Sequence, residues 1–432
     1  MNIIKSYNKL EFWKFFPLVV FIFNPKIDII SIPNYWQGIR LDDLIIFFYL
    51  VYYLFTNNFR VLPNLINSKI IGFNWIIFFP YLVFSLFLGK FFGIDPQLIL
   101  IFRYIEYIGL IIIISQLNPS KNKLLLLFKF YIIINFIIVL LQYFDLAGGF
   151  TSRGHCVRDP NLPNAYCFDK EDITSICFFN CDLGFMKNYV HPGGFLWNRA
   201  PGITGGTWEL AINLSLSIFA LAKFEKSWKT VIPYFVITIF MLVIGQSRGI
   251  IFGFLAGTLF ISKNYKATIL IVSSIFILTI TMYLLDLFNF KNIINDKFFI
   301  DYFALIKMMV GTFTGNLPPG DKFENTGLYS MWLRAKDWEV AISQLKSSNI
   351  FLIFGHGGAG SLYTESLIIR IITSFGIMGT LLVLYLSKDL PLVLIVFLLI
   401  TGITIDTFIN FKIFFFTLLF LTLYKKDSLE IK

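Results

Sequence analysis

Long apolar runs recur along the whole chain and constrain its fold more than any other feature. A run of 18 or more apolar residues can cross the bilayer core, which is about 30 Å thick, as a helix. Because backbone groups find no water in that core, a repeatedly crossing chain must form helices or a closed barrel. Only 14% of the 432 residues are charged, against about a quarter in soluble domains. The sequence therefore predicts an all-α polytopic membrane protein.

Twelve hydrophobic spans can be placed along the chain. Their expected boundaries are 13–32, 41–57, 70–89, 97–115, 124–146, 207–222, 230–246, 249–262, 267–288, 366–386, 389–409 and 411–424. No soluble domain or internal repeat is visible between them. Residues 1–432 are therefore predicted to form a single integral membrane domain.

Two long polar segments interrupt the otherwise short connections, at 147–206 and 289–365. Loops of this length are typically functional or disordered. The second segment contains a predicted amphipathic helix at about 329–347. Trp332 and Trp338 of that helix are expected to anchor it at the membrane interface.

The cysteines and the basic residues give the same orientation for the chain. With the N-terminus inside, sixteen Lys and Arg residues of the short loops and tails lie inside and five lie outside, as the positive-inside rule requires. All four cysteines, Cys156, Cys167, Cys177 and Cys181, then lie in the outer segment 147–206. Their spacing lacks the short pairs of zinc sites, and disulfides persist in oxidising compartments. Disulfides are therefore expected, with all three pairings open.

Motifs for metal or nucleotide chemistry are missing from the sequence. There is no P-loop, HExxH, nucleophile elbow or DxD-type cluster, so neither a metal nor another cofactor is expected. The net charge of +10 is attributed to membrane orientation, because no soluble basic stripe with interleaved aromatic residues accompanies it. Nucleic acid is therefore not an expected partner.

His356 and Glu209 are the candidate acid–base residues on the outer side. His356 lies in the segment GHGGAG (355–360), whose glycines permit positive φ angles. Histidine is the commonest catalytic base, but a solvated loop histidine is the alternative. Glu209 could be a base, a partner for an arginine, or a charge that complements the dipole of the following helix.

Four arginines are candidate ligands for an anionic substrate group. Arg199 and Arg248 precede apolar spans, and Arg248 could instead be an interfacial anchor. Arg334 could belong to a solvated helix face. Arg103 lies inside a span, three residues before Glu106, so the two side chains share a helix face and could simply neutralise each other.

The ordered motifs of the second half resemble the superfamily of O-antigen polymerases and O-antigen ligases of bacterial inner membranes. The stretches that carry the resemblance are NRAPGITGGTWELAINLSL (198–216), IGQSRGIIFGFLAG (244–257), WLRAKDWEVAISQL with IFGHGGAG (332–345 and 353–360), and TESLIIRIITSFGIMG (364–379). A cysteine-rich loop is not a feature of that family.

The resemblance implies a GT-C-like glycosyltransferase in the bacterial inner membrane, with cytoplasmic termini and both long loops in the periplasm. Such an enzyme joins undecaprenyl-diphosphate-linked oligosaccharides by metal-independent, inverting transfer. Arg199 and Arg248 would bind the diphosphate, Arg334 would assist, and His356 would act near the acceptor hydroxyl. The implied partners are the lipid-linked oligosaccharide, membrane lipids and, optionally, a chain-length regulator.

Two alternatives to a polymerase remain open from the sequence. The first is the ligase that transfers finished polymer to lipid A–core, because it shares the topology and the chemistry. The second is a transporter or flippase for a lipid-linked sugar. A transporter predicts broken helices and paired charges within the membrane, for which Arg103 and Glu106 are the hint.

Overall fold

The computed structural model describes most of the chain. The described residues are 15–24, 28–31, 39–56, 74–94, 99–144, 146, 177–178, 200–245, 247–261, 307–308, 310–320, 329–357, 366–388, 390–403, 405–407 and 410–430. The predicted span 267–288 and most of the two long loops lie outside these residues.

Helices make up most of the described structure, as the sequence predicts. After helix α1 (15–23), the helices are α2 (Leu41–Thr56), α3 (Asn74–Phe91), α4 (Ile99–Leu117), α5 (Lys121–Tyr143), α6 (Thr207–Phe224), α7 (Trp228–Gly245), α8 (Arg248–Leu259), α9 (Tyr329–Lys346), α10 (Asn349–Phe354), α11 (Leu367–Ser387), α12 (Leu392–Gly402) and α13 (Phe411–Glu430).

Three of these helices, α5, α7 and α11, are long and apolar enough to cross a membrane, and shorter apolar helices lie at 78–91, 249–259 and 392–402. The chain is therefore a helical membrane protein, and the count of twelve spans stays a prediction. The first predicted span, 13–32, is wrong at its end. Helix α1 stops at residue 23, just before an Asn-Pro pair whose proline disfavours helical backbone at the preceding residue.

A small antiparallel sheet follows α1, which the all-α prediction did not include. Its strands are β1 (Asp28–Ser31), β2 (Ile39–Arg40) and β3 (Cys177–Phe178), in the order β2-β1-β3. Ser31 pairs with Cys177 across β1 and β3. The sheet therefore joins the segment that contains the cysteines to the first interhelical connection.

The C-terminal helix α13 lies at the centre of the main hydrophobic core. Its phenylalanines contact rings of three earlier helices: Phe415 meets Phe21 of α1 at 5.5 Å, Phe414 stacks on Tyr107 of α4 at 4.0 Å, and Phe416 meets Tyr131 of α5 at 4.6 Å between ring centroids. Aromatic pairs at such distances contribute energy beyond their buried area. Helix α13 therefore packs against three helices that precede it in the sequence.

Small residues allow α8 to pack closely against α12 and α6, as the four-residue spacing of Gly249, Gly253 and Gly257 predicts. A Cβ on Gly253 would lie 2.6 Å from Cγ2 of Thr401, and one on Gly257 would lie 2.7 Å from Cζ of Phe219. The close-packing prediction is therefore confirmed for Gly253 and Gly257.

Helix α9 coincides with the amphipathic helix predicted at 329–347, but one of its proposed anchors is wrong. Trp338 is buried, with 1% of its surface exposed, and packs with Met308, Ala335 and Ile369. A side chain enclosed by protein cannot insert into the lipid interface. Trp332 is half-buried, and its Nε1 donates to the carbonyl of Pro318 at 2.7 Å.

Candidate functional site

The segment before α6, residues 200–206, is buried although it is not helical. Two side chains of α5 satisfy its backbone. Gln142 accepts from the Gly202 N–H at 2.8 Å and donates to the Gly202 carbonyl at 3.0 Å. Asn135 accepts from the Ile203 N–H at 3.1 Å. Non-helical backbone is tolerated inside a membrane protein only where such partners exist. Helix α5 therefore fixes the segment 200–206, which leads into α6 and Glu209.

Glu209 lies in the first turn of α6 and is completely buried. Its Oε2 accepts a hydrogen bond from Nδ2 of Asn410 at 2.8 Å. The Oδ1 of Asn410 accepts from the Ile413 N–H at 3.1 Å, which caps the start of α13. One amide therefore orients the Glu209 carboxylate and begins the central helix.

Substitutions of Asn410 separate its two contacts. Asn410→Ser keeps an oxygen that can cap α13 but replaces the amide donor to Glu209 by a shorter hydroxyl. We expect it to cost about 1.5–3 kcal/mol of stability, the value of a hydrogen bond to a charged group. Asn410→Ala removes the cap as well and should cost about 1 kcal/mol more. Thermal unfolding of the purified protein in detergent measures both. Wild-type stability of the serine variant would contradict this contact.

Arg370 and Asp406 form a second buried contact close to the first. Nε of Arg370 donates to Oδ2 of Asp406, and both side chains are at most 2% exposed. Arg370 lies in the first turn of α11, while Asp406 lies in the connection between α12 and α13, four residues before Asn410. Four residues span at most about 14 Å. We call Glu209, Arg370, Asp406 and Asn410 the helix-start cluster.

His356 is held by a break in α11. Gly376, inside that helix, has φ 62° and ψ −165°, which interrupts the helical hydrogen bonds. The carbonyl groups of Thr373 and Ser374 accept instead from the N–H groups of His356 and Gly357, at 3.1 and 3.0 Å. The backbone around His356 therefore replaces missing helix bonds of α11.

Helix α3 closes the other side of this loop. The hydroxyl of Tyr81 donates to the Phe375 carbonyl at 2.6 Å and lies 3.2 Å from the Phe354 carbonyl. A Cβ on Gly89 would lie 2.2 Å from the His356 carbonyl oxygen. The loop is therefore enclosed between α3 and α11. Gly355 and Gly357 have φ values of 78° and 71°, which confirms that these glycines adopt positive φ angles.

The His356 ring is completely buried, so the alternative of a solvated loop histidine is wrong. The backbone of Ala341 approaches the ring, but neither ring nitrogen forms a hydrogen bond of ordinary geometry within the described part of the chain. Burial lowers the pKa of His356. Burial therefore favours the neutral form of the ring over the imidazolium.

Arg103 is buried among carboxylates. Its Nη1 lies 2.6 Å from Oε2 of Glu106 and 3.4 Å from Oδ1 of Asp43. The contact with Glu106 confirms the shared helix face that the three-residue spacing predicts. Arg40 joins the same group at 3.6 Å from Asp43 and 3.7 Å from Asp42. These contacts form a charge network between α2 and α4, and binding of substrate by Arg103 stays a prediction.

The other predicted site residues are placed in part. Arg334 is half-buried on α9, with Nη1 3.3 Å from the sulfur of Met331. Arg248 begins α8, but its side chain lies outside the described structure, as do Arg199, Cys156, Cys167 and Cys181. Cys177 is described as backbone in β3. The predicted disulfides therefore lie outside the described residues.

The structure thus brings one predicted residue, Glu209, together with three that sequence reasoning missed: Arg370, Asp406 and Asn410. The signal was present, since polar residues within apolar helical stretches mark functional or packing sites. His356 is joined to the same helix, α11, one turn beyond Arg370. Among the described residues, no group of three or more His, Cys, Asp or Glu side chains could hold a metal ion.

Comparison of the chain with protein-family models, curated proteins and solved structures finds no match.

Proposed function

We propose that the protein polymerises undecaprenyl-diphosphate-linked oligosaccharide repeat units on the outer face of a bacterial inner membrane. The single observation that supports it most is the environment of Glu209. This carboxylate is completely buried at the start of a helix and fixed by Asn410, while the preceding segment is held by α5. Preorganisation of this kind is what an acid–base residue requires.

The reaction is a glycosyl transfer that inverts the anomeric carbon. The oxygen of an acceptor hydroxyl attacks that carbon, and its proton passes to a base, for which Glu209 and His356 are the candidates. The bond between the anomeric carbon and the diphosphate oxygen breaks, and the electron pair leaves with the lipid diphosphate. Arginines are suited to stabilise the charge that develops there.

Surface polysaccharide from a strain that lacks the gene tests this proposal. Lipid A–core capped with a single repeat unit is the expected result. Uncapped core, with polymer left on its lipid carrier, would indicate the ligase instead. An unchanged ladder would contradict both enzymes.

Complementation of that strain tests the residues. Glu209→Gln, Arg199→Ala and Arg248→Ala should each lower polymer at least about a hundredfold at equal protein level in the membrane. Glu225→Gln is the matched control, because Glu225 follows the other end of α6 and forms only a partly exposed pair with Lys129 at 3.1 Å. Polymer of wild-type length from all three site variants would refute the assigned roles.

A flippase for lipid-linked oligosaccharide is the second candidate, favoured by the break in α11 at Gly376 and the buried Arg103–Glu106 and Arg370–Asp406 pairs. Broken helices and paired charges within the membrane are typical of transporters. Movement of a labelled lipid-linked oligosaccharide across vesicles that contain only the purified protein would support this candidate. Polymer formation in the same vesicles without such movement would exclude it.

A further inference from the structure

Arg370 uses only part of its hydrogen-bonding capacity. Its guanidinium is buried, and Nε donates to Asp406. Nη2 is also buried but has no hydrogen-bond partner in the described structure. An unsatisfied donor on a charged group is costly, and native proteins contain few of them. The contact with Asp406 therefore fixes the guanidinium through Nε, and the neighbouring Nη2 keeps N–H donors for another acceptor.

The surroundings of Arg370 favour an anionic acceptor. The starts of α6, α11 and α13 are linked, because Glu209 of α6 contacts Asn410 and Arg370 of α11 contacts Asp406, four residues before Asn410. Lys412, also buried, brings its Nζ to 3.5 Å from the Ile203 carbonyl at the same end. Helix N-termini carry partial positive charge. The charges of Asp406 and Glu209 offset those of Arg370 and Lys412, and each of the three helix starts adds a partial positive charge.

The predicted topology places this end of the bundle at the outer face. The spans that begin at 207, 366 and 411 all run inward from outer loops under the positive-inside assignment. A lipid diphosphate at the outer leaflet would present its phosphate oxygens at that level. Arginine is the side chain best suited to such oxygens, because its planar donors match their geometry.

We propose that Arg370 binds a phosphate group through Nη2 at the helix-start cluster, with Asp406 as the residue that positions it. This assignment rests on the proposed function: the phosphate is part of the diphosphate of the lipid-linked donor. A bulk anionic lipid headgroup offers the same chemistry and is separated from it by the test.

The test uses a variant in which the site is removed without a charge being left buried. The double variant Arg370→Met/Asp406→Leu replaces the ion pair by apolar side chains of similar volume, a change that proteins often tolerate. The purified wild-type protein and the double variant are titrated with inorganic pyrophosphate and with undecaprenyl diphosphate, and thermal unfolding is followed. The experiment is done in nanodiscs of zwitterionic lipid and repeated with anionic lipid.

We expect both diphosphates to stabilise the wild-type protein, and the double variant to bind them about ten- to a hundredfold more weakly. Arg370→Lys should fall between the two, since lysine keeps the charge but loses the planar donors. Stabilisation by anionic lipid alone, also lost in the double variant, would support the phosphate site and assign it to headgroups. Equal stabilisation of the wild-type protein and the double variant would overturn the proposal.

This result is separable from the proposed function. Arg370-dependent binding of pyrophosphate in a protein whose deletion leaves the polysaccharide ladder unchanged would keep the site and reject the polymerase. Full polymerisation by the double variant in vesicles would keep the polymerase and reject the role of Arg370.

Discussion

Arg370→Met should destabilise the protein by about 3–5 kcal/mol, because it leaves the Asp406 carboxylate buried without its guanidinium. Asp406→Leu should have a comparable cost, since it leaves the guanidinium buried without its carboxylate. The side chains are at most 2% exposed, so water cannot replace the missing partner. Thermal unfolding of each variant in the same detergent gives the measurement.

The double variant Arg370→Met/Asp406→Leu completes this cycle and should recover most of the lost stability. Non-additivity is expected because the two groups are in contact. The matched control is the partly exposed pair of Lys121 and Asp427, 2.6 Å apart and 21% and 31% exposed, where Lys121→Met should cost at most about 1 kcal/mol. Additive losses at Arg370 and Asp406 would mean that the buried pair does not exist.

Gly355→Ala and Gly376→Ala should each cost about 2–6 kcal/mol, combining backbone strain with a steric clash. A Cβ on Gly355 would lie 2.2 Å from the Ser374 carbonyl oxygen, and one on Gly376 would lie 2.4 Å from the Gly355 nitrogen. Both clashes involve backbone atoms, which cannot rotate away as a side chain does. We expect the His356 loop to separate from α11, and limited proteolysis near residue 356 to become faster.

Gly93→Ala is the control for this experiment. Gly93 also has a positive φ, 80°, but a Cβ there would meet nothing within 4 Å. The control variant therefore pays only the conformational term, about 1–2 kcal/mol. If all three alanine variants lost the same stability, contact between the loop and α11 would not be the cause.

The sequence predicted the helices well because their signal is local. Apolar length marked α5, α7 and α11, and the glycine spacing predicted close packing of α8 against other helices. The end of α1 was missed because the apolar run continues through Ile29 and Ile30, which form β1 instead. The segment forms a strand because it pairs with β3, which lies almost 150 residues later. A pattern of neighbouring residues carries no information about such a distant partner.

The candidate site was less predictable for the same reason. Glu209 and the glycines beside His356 stood out as polar or flexible residues next to apolar runs. Arg40, one of the five basic residues that the predicted topology places outside, is 3% exposed and belongs to an ion-pair network. Asn410 and Asp406 lie between two apolar helices, and their roles follow from contacts with residues distant in the sequence. Asn410 contacts Glu209, about 200 residues away, and Asp406 contacts Arg370, 36 residues away.

The central position of α13 also determines the order in which the protein can mature. Helix α13 follows its ring partners in α1, α4 and α5 and the carboxylate of Glu209 in the chain, so it is synthesised after them. Until α13 has been made, those groups lack the contacts that they have in the folded protein. Packing of the main core is therefore incomplete until residues 411–430 have left the ribosome.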